Sequence, residues 1–419
     1  MSKHRKKTTT FQKHKIAQAQ HRNEFIRKLK TVINVINEND VLSSVSDILL
    51  HELYNARVHS FKIIVPSEFS VPSDIINDAR KLISGWSKKV KMTVIPDKLE
   101  LTVEEFYTVF LTLTINLDIL LNAKLKSHQL FKEKLNNFIE EVFKKSYEEL
   151  YVSLLTMEYY HTDIGKTLYW LNHEMVPTPG LRNGVDNLII FNCCKLESAP
   201  VVIEGKQRPV VRLGYSFPNF GIEYITIKSS DFGLDKSFGD KPLDVYIQSH
   251  ALQRLSERID CYLKGSVHYC LFMSLKDPKV FYVNNNLLIE YRYFNMKTGY
   301  LRIEIIDDKV VIKTFLFVTN NGTPEGQMLE KITGLKKLDK KYLALDRLST
   351  FMSSDIGNNE KVKEIFTSAG CQCLLDLYEK SHQISSISSK QFDTKLLLKY
   401  IDYDKELHPQ FLKHRKGII

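Results

Sequence analysis

Apolar residues in the first 176 positions recur every three to four residues, which is the spacing of an amphipathic helix. Between Lys15 and Asn37 the apolar positions are Phe25, Ile26, Leu29, Val32, Ile33 and Ile36. Thr102 precedes a second apolar run, and Glu105 follows three positions later, which is the pattern of a capping box. Residues 127–171 keep the helical spacing. The sequence therefore predicts a mostly helical region over residues 15–176.

The period changes to two after a cluster of turn residues that begins at Pro177 and ends at Gly184. Four strand candidates near 279–283, 287–294, 300–306 and 309–318 are joined by short links. Short links favour an antiparallel meander, because parallel strands need long crossovers. We therefore expect a β-rich α+β domain over residues 185–334. A helical pattern returns over 335–419, and the predicted fold class of the whole chain is α+β.

Positive charge is concentrated near the start of the chain. The formal net charge is +10, and residues 1–30 contain one acid, Glu24. The basic residues of this segment are Lys3, Arg5, Lys6, Lys7, Lys13, Lys15, Arg22, Arg27, Lys28 and Lys30. Residues 1–14 are expected to form a disordered basic arm. Such a run commonly binds phosphates of nucleic acid or of a membrane surface, and a solvated tail is the alternative.

Cysteine spacing and apolar run length limit the class of protein. The six cysteines include no C-x2-C pair, so no zinc half-site is predicted, and they are interpreted as reduced thiols in the cytoplasm. No run of about 18 apolar residues suggests a membrane span. Neither a dinucleotide fingerprint nor a nucleophile elbow occurs, so no cofactor is expected.

One predicted helix, at 249–260, carries a row of residues suited to phosphate chemistry. His250, Arg254 and Arg258 are spaced at i, i+4 and i+8, and the apolar residues lie on the opposite face. Two guanidinium groups can hold phosphate oxygens, and an imidazole can move protons near neutral pH. A surface helix whose arginines pair with carboxylates is the alternative interpretation.

Residues 244–326 resemble the small ribonuclease toxins of bacterial toxin–antitoxin systems, in the barnase–colicin–RelE-like group. The resemblance rests on Ser249-His250-Ala251, Arg254 and Arg258, similar to a Ser-x-His-Ala-x-x-Arg-x-x-x-Arg helix, followed by an antiparallel sheet. It implies that a polar residue on the last strand, here Thr314, supports catalysis. Lys313 precedes it in the same strand, on an otherwise apolar face, where it either extends to the rim or takes part in the reaction.

These observations predict a metal-independent, toxin-like or defence-type endoribonuclease that cleaves RNA by attack of the ribose 2′-hydroxyl. The predicted catalytic residues are His250, Arg254, Arg258, Lys313 and Thr314. The predicted partners are RNA or DNA, with an inhibitory protein or a second copy of the chain as further partners. Two alternatives remain open, a non-catalytic nucleic-acid-binding protein that uses the basic arm and a scaffold protein. Tyr291, Tyr293 and Tyr300 are either packed in the sheet or available to stack on bases.

Overall fold

The computed structural model of the chain describes residues 10–37, 46–95, 97–116, 126–181, 183–233, 240–262, 264–353, 356 and 359–381. These residues fall into two compact units. The first unit lies within Met1–Glu158, Tyr169–Cys193 and Phe217–Gly221, and the second lies within Tyr159–Leu168, Cys194–Ser216 and Ile222–Ile419.

The first unit combines helices with two small sheets. The helices are α1 (Thr10–Asn37), α2 (Asp47–Asn55), α3 (Ser73–Lys89), α4 (Val103–Glu105), α5 (Leu111–Ile115) and α6 (Lys126–His161), and a π-helical turn (Phe106–Phe110) joins α4 to α5. The strands are β1 (Lys62–Ile64), β2 (Lys91–Ile95), β3 (Leu99–Thr102), β4 (Thr167–Pro177) and β5 (Val185–Lys195). The order β1-β5-β4 forms one sheet, and β2 pairs with β3 in the other.

The apolar face predicted for the first helix is confirmed. The side chains of Phe25, Leu29, Val32 and Ile33 are each less than 5% exposed and belong to the core of this unit. The helix begins at Thr10, so it includes the last five positions of the segment expected to be a disordered arm. The predicted arm residues Lys3, Arg5, Lys6 and Lys7 lie outside the described residues.

The predicted capping box at the start of α4 is also confirmed. The backbone N–H of Glu105 donates to the Thr102 hydroxyl at 3.2 Å, and the Glu105 carboxylate accepts from the Thr102 N–H at 2.9 Å. Two backbone donors that the helix itself cannot satisfy are thereby paired.

The predicted helix over residues 127–171 was wrong at its end, because α6 stops at His161 and Thr167–Pro177 forms a strand. Leu168, Tyr169 and Leu171 are all buried, so apolar residues occupy both faces of this strand. A strand covered on both faces loses its two-residue period and cannot be distinguished from a buried helix by pattern alone.

The second unit contains the larger sheet and most of the helices that follow it. The strands are β6 (Ser198–Ile203), β7 (Lys206–Arg212), β8 (Gly214–Phe217), β9 (Gly221–Tyr224), β10 (Thr226–Lys228), β11 (Pro242–Gln248), β12 (Val280–Val283), β13 (Asn286–Tyr293), β14 (Met296–Ile306) and β15 (Lys309–Phe317). The helices are α7 (Ser249–Arg258), α8 (Lys264–Lys276), α9 (Pro324–Thr333), α10 (Lys337–Tyr342), α11 (Leu348–Ser353), α12 (Glu360–Ser368) and α13 (Gln372–Ser381).

The antiparallel meander is confirmed as β12-β13-β14-β15, and the α+β class of the chain is confirmed with it. Its turns contain Asn284, Asn285, Asp307 and Asp308, whose φ angles of 48° to 60° are ones that Asn and Asp tolerate. The sheet continues from β15 to β11, β7 and β6, and β11 runs parallel to β15. The C-terminal helical pattern is confirmed as far as Ser381, and residues 382–419 lie outside the described residues.

Helix α8 was not predicted, and the apolar residues on its exposed side explain the omission. Val267, His268, Leu271 and Phe272 are at most 1% exposed, whereas Met273, which is also apolar, is 41% exposed. A helix that carries apolar residues on its exposed side as well shows no helical period in its polarity. Across the described ranges, no helix is both long enough and apolar enough to cross a membrane.

Candidate functional site

His250 is positioned by the junction between β11 and α7. The strand ends at Gln248, which takes the N-cap position with extended backbone angles, and the helix begins at Ser249. Ala251, Leu252 and Leu255 are buried, so the apolar face predicted for this helix is confirmed. His250 is exposed at the start of the helix. Its imidazole is therefore held at the carboxyl end of β11, beside β15 on one side and β7 on the other.

Lys313 and Thr314 reach the same space because of an irregularity in β15. Arg302 pairs in register with Thr314, whereas Ile303 pairs with Ile312, so Lys313 is an extra residue on this strand. Such a bulge bends the strand and turns one side chain away from strict alternation. Two consecutive residues can therefore line one cavity, although neighbours in a regular strand point to opposite faces.

The hairpin of β6 and β7 supplies two further cations. Glu204 and Gly205 form its turn, with φ angles of 52° and 73°. Lys206 and Arg208 follow at the start of β7, two positions apart, so they lie on one face of the strand. Pairing of β7 with β11 places this end of the hairpin next to the end of β11.

These elements enclose a cavity of about 780 Å³, which we call the His250 cavity. It is lined by Ile203, Glu204, Lys206, Arg208, Pro209, Gln248, Ser249, His250, Arg302, Lys313 and Thr314. Four of these side chains are Lys or Arg and one is an acid. Three of the five residues predicted to be catalytic, His250, Lys313 and Thr314, are thereby brought together.

Positive charge in the His250 cavity is only partly neutralised. The Lys313 ammonium lies 2.9 Å from Glu204 and 2.8 Å from Glu304, and its side chain is 13% exposed. Burial works against its charge, but these two carboxylates raise the pKa of Lys313. In the described part of the chain, Arg208 and Arg302 have neither an ion pair nor a side-chain hydrogen bond. Both guanidinium groups are therefore available to an anion.

Glu204, the acid among these lining residues, stays ionised. Its hydrogen bond with Lys313 lowers the pKa of Glu204, and the charges of Arg302 and Arg208 add to the effect. Glu204 is therefore a carboxylate at neutral pH, able to accept a hydrogen bond or a proton.

Arg254 and Arg258 do not line the His250 cavity. Arg254 pairs with Glu257 at 2.8 Å on the exposed side of α7. The Arg258 side chain is 13% exposed, donates a hydrogen bond to the Phe315 carbonyl and lies 3.9 Å from Asp346. Burial lowers the pKa of Arg258, and Asp346 opposes that shift. Arg258 thus connects α7 to β15, and Arg254 forms the kind of surface pair that the alternative interpretation expected.

The basic residues of α1 differ in how much of their charge is free. Arg27 pairs with Glu24 at 2.7 Å, and Lys28 bonds both Glu24 and Glu105. The remaining predicted binding residues are placed as follows: Lys30 lies 3.8 Å from Asp47, Lys13 and Lys15 are exposed, and Arg22 is half-buried.

The tyrosines considered as stacking platforms are packed in the sheet. Tyr291, Tyr293 and Tyr300 are 0%, 3% and 2% exposed, and the Tyr291 hydroxyl donates to the Val267 carbonyl. Their rings are therefore closed to a nucleobase.

Lys206, Arg208 and Arg302 were missed as site residues by the sequence analysis. Lys206-Gln207-Arg208 follows Gly205 between two predicted strands, and this alternation was a signal that two cations share one face. No sequence signal places Arg302 beside His250, because their proximity depends on the parallel pairing of β11 with β15.

The chemistry available here is anion binding next to a proton-transfer group. Exposed guanidinium groups can bind phosphate oxygens in pairs of hydrogen bonds, and an imidazole can take up and release a proton. Within the described ranges, no group of three or more His, Cys, Asp or Glu side chains is arranged to hold a metal ion.

Comparisons with known proteins assign no family to this arrangement. No family model matches the chain, and neither a curated protein nor a solved structure is similar to it.

Proposed function

We propose that the second unit binds RNA in the His250 cavity and cleaves it without a metal ion, by transesterification at the ribose 2′-hydroxyl. The carrying observation is that His250 shares one cavity with four cationic side chains, among which Arg208 and Arg302 have no partner in the described part of the chain. A phosphodiester supplies the anion that these groups lack.

Five of the lining side chains have a role in this reaction. Arg208 and Arg302 hold the nonbridging phosphate oxygens and stabilise the charge that builds on them during attack. The 2′-hydroxyl loses its proton to a base, its oxygen bonds to phosphorus, and the bond from phosphorus to the 5′-oxygen breaks. The leaving 5′-oxygen takes up a proton. The products are a 2′,3′-cyclic phosphate and a 5′-hydroxyl.

His250 and Glu204 are the lining groups that can move these protons. His250 carries an imidazole, the side chain that most often serves as general acid or base, and can give a proton to the leaving oxygen. Glu204 is ionised and can accept the proton of the 2′-hydroxyl. Lys313 is held in place by Glu204 and Glu304 and adds positive charge beside the phosphate.

The test is cleavage of a labelled RNA pool in EDTA by the wild type, His250→Ala and His51→Ala. His51 is an exposed histidine on α2 and does not line the His250 cavity, so it controls for the loss of an imidazole. We expect His250→Ala to lower the cleavage rate by a factor of about 10² to 10⁴, which is the usual contribution of general acid–base catalysis. The His51→Ala rate should match that of the wild type.

Chemical readouts separate this activity from a contaminating nuclease. The products should carry 2′,3′-cyclic phosphates, and a 2′-deoxy copy of the substrate should stay intact. Equal cleavage by wild type and His250→Ala, or cleavage of the 2′-deoxy strand, would refute the catalytic proposal.

Binding of RNA or DNA without cleavage is the second candidate. The His250 cavity has four cationic side chains and one imidazole. This composition favours binding alone, because binding needs only the cations. Binding alone predicts that the protein does not cleave RNA in this assay. It also predicts that the affinity for nucleic acid falls steeply with salt, since each neutralised phosphate releases counterions.

We propose that the protein acts in the cytoplasm, on the basis of its cysteines. All six cysteines are free, as expected for a reducing compartment. An inhibitory protein or a second copy of the chain is proposed as the partner that restrains the activity.

A further inference from the structure

A second polar cavity lies within the first unit and has no part in the proposed RNA chemistry. It measures about 630 Å³, within the range of small-molecule sites, and is walled by α1, the segment that leads into β1, the end of α3 and the start of α4. The charged groups that face it from the segment before β1 and from α3 are Arg57, His59, Lys62 and Lys88. We call it the Arg57 cavity.

Arg57 is a half-buried cation without an acidic partner. Its guanidinium donates to the Tyr54 carbonyl at 2.6 Å and stacks 3.9 Å from the centre of the Tyr54 ring. In the described part of the chain it forms no ion pair. Burial accordingly lowers the pKa of Arg57, and burial followed by the charge of Arg57 lowers the pKa of His21. An anion in the cavity would relieve this excess of positive charge.

His59 is held in a fixed orientation at the same wall. Its Nδ1 lies 2.7 Å from the Asp186 carboxylate, which also accepts from Lys62 at 2.9 Å. Because Nδ1 is engaged, Nε2 is the ring atom left for a ligand. The side chains of His59 and Asp186 are only 15% and 13% exposed, so this pair is positioned before any ligand arrives.

The acids that line the cavity are largely engaged. Glu24 pairs with Arg27 and Lys28, and Glu105 bonds Lys28 and caps α4. Glu104 is the lining acid that has no ion pair among the described residues. Phe61 adds a ring to the wall, packed edge-on against Tyr107 at 4.9 Å.

We propose that the Arg57 cavity binds a small phosphate monoester such as a mononucleotide. The phosphate dianion would accept hydrogen bonds from Arg57 and His59 and attract Lys62 and Lys88. The attached organic group would lie against Phe61, because an aromatic face suits a nucleobase or a similar ring.

Isothermal titration of the full chain tests this proposal with AMP, inorganic phosphate and adenosine as probes. AMP should bind the wild type, and adenosine should not. If inorganic phosphate binds as tightly as AMP, the phosphate group alone is recognised. If it binds more weakly, the adenosine part of AMP also contributes to the affinity. Failure of both phosphate-bearing probes to bind would overturn the proposal.

Three variants locate the binding. Arg57→Met should weaken AMP binding about tenfold or more, the usual effect of losing a hydrogen bond to a charged group. Arg80→Met removes an exposed arginine of α3 that does not line the cavity, so its affinity should equal that of the wild type. Glu104→Gln removes a negative charge that repels the phosphate of AMP. Glu104 forms no ion pair among the described residues, so this change should tighten AMP binding. Undiminished affinity in Arg57→Met, or no gain in Glu104→Gln, would overturn the assignment.

Discussion

Arginines of the second unit take different roles according to their neighbours. Arg258 is 13% exposed and bonded to a backbone carbonyl, whereas Arg208 and Arg302 are exposed and line the His250 cavity without partners in the described part of the chain. All three carry the same charge in the sequence. We therefore propose the arginines on the sheet, rather than those on the helix, for the phosphate-binding role.

Glu158 is a buried carboxyl group of α6 whose protonation should couple to stability. It is 0% exposed; one of its oxygens accepts from the Leu171 N–H at 2.9 Å, and the other has no hydrogen-bond partner among the described residues. Burial raises the pKa of Glu158 well above its ordinary value of 4.5, against the opposing Leu171 bond. The folded protein therefore keeps this proton at pH values where the unfolded chain has lost it.

We predict that Glu158→Gln raises the free energy of unfolding at neutral pH. Below pH 4.5 both states of the wild type hold the proton, so this stabilising term is fully present there. As pH rises from 4.5 towards the folded pKa, unfolding releases the proton and wild-type stability falls. Gln resembles the protonated acid and does not titrate, so the gain of the variant should grow across this range.

Denaturant unfolding at several pH values between 4 and 8 measures the effect. Glu149→Gln, on the exposed side of the same helix, is the control and should follow the wild type. A Glu158→Gln curve parallel to that of the wild type would show that Glu158 ionises in the folded state.

At the scale of elements, Arg258 connects α7 to the strand that carries Lys313. We predict that Arg258→Met lowers the free energy of unfolding by about 1–3 kcal/mol, because the Phe315 carbonyl and Asp346 lose a charged partner. RNA affinity of the folded protein should stay within about twofold, since Arg258 does not line the His250 cavity.

Arg254→Met is the matched control on the same helix. Its exposed pair with Glu257 should contribute less than about 1 kcal/mol to stability. A large loss of RNA affinity in Arg258→Met with unchanged stability would restore the role that the sequence pattern suggested.

Elements with a clear period or a local signal were predictable from the sequence. The apolar face of α1, the capping box of Thr102 and Glu105, and the meander with its Asn and Asp turns all depend on neighbours in the chain. Strand β4, which is buried on both faces, and helix α8, whose exposed side includes the apolar Met273, were missed because too few polar positions remain to reveal a period.

The candidate site was predictable only in part, for a related reason. His250 sits in a local pattern, whereas its cationic neighbours come from pairings distant in sequence. Arg208 approaches through the antiparallel pairing of β7 with β11, and Lys313 through the parallel pairing of β11 with β15 and a bulge. Neither the parallel pairing nor the bulge has a signature in the sequence.

At the scale of the whole molecule, the basic segment and the His250 cavity are two separate regions that we propose attract nucleic acid. Residues 1–30 carry nearly all of the net charge of +10. Deleting this segment would also remove Phe25 and Leu29 from the core of the first unit, so it cannot isolate the effect of charge. Neutralising exposed lysines is the cleaner change.

We predict that Lys13→Gln combined with Lys15→Gln raises KM for RNA and leaves kcat unchanged. Both lysines are exposed on α1, where they can attract phosphates, and neither lines the His250 cavity. The slope of the logarithm of the binding constant against the logarithm of salt concentration should become shallower by up to about 1.4. Each single-strand phosphate that a lysine neutralises contributes about 0.7 to this slope. A fall in kcat would place the basic segment in the catalytic step.

The most direct test of nucleic-acid binding in the His250 cavity compares two double variants that each remove two positive charges. Arg208→Ala with Arg302→Ala removes the unpaired guanidinium groups of the His250 cavity, and Arg80→Ala with Arg254→Ala removes two arginines that do not line it. The measurement is affinity for a 2′-deoxy substrate at fixed salt. If the His250 cavity binds the nucleic acid, affinity should fall more than about tenfold for the first pair and less than about twofold for the second. Equal losses would contradict it, because they would show that only overall charge, and not the cavity, attracts the nucleic acid.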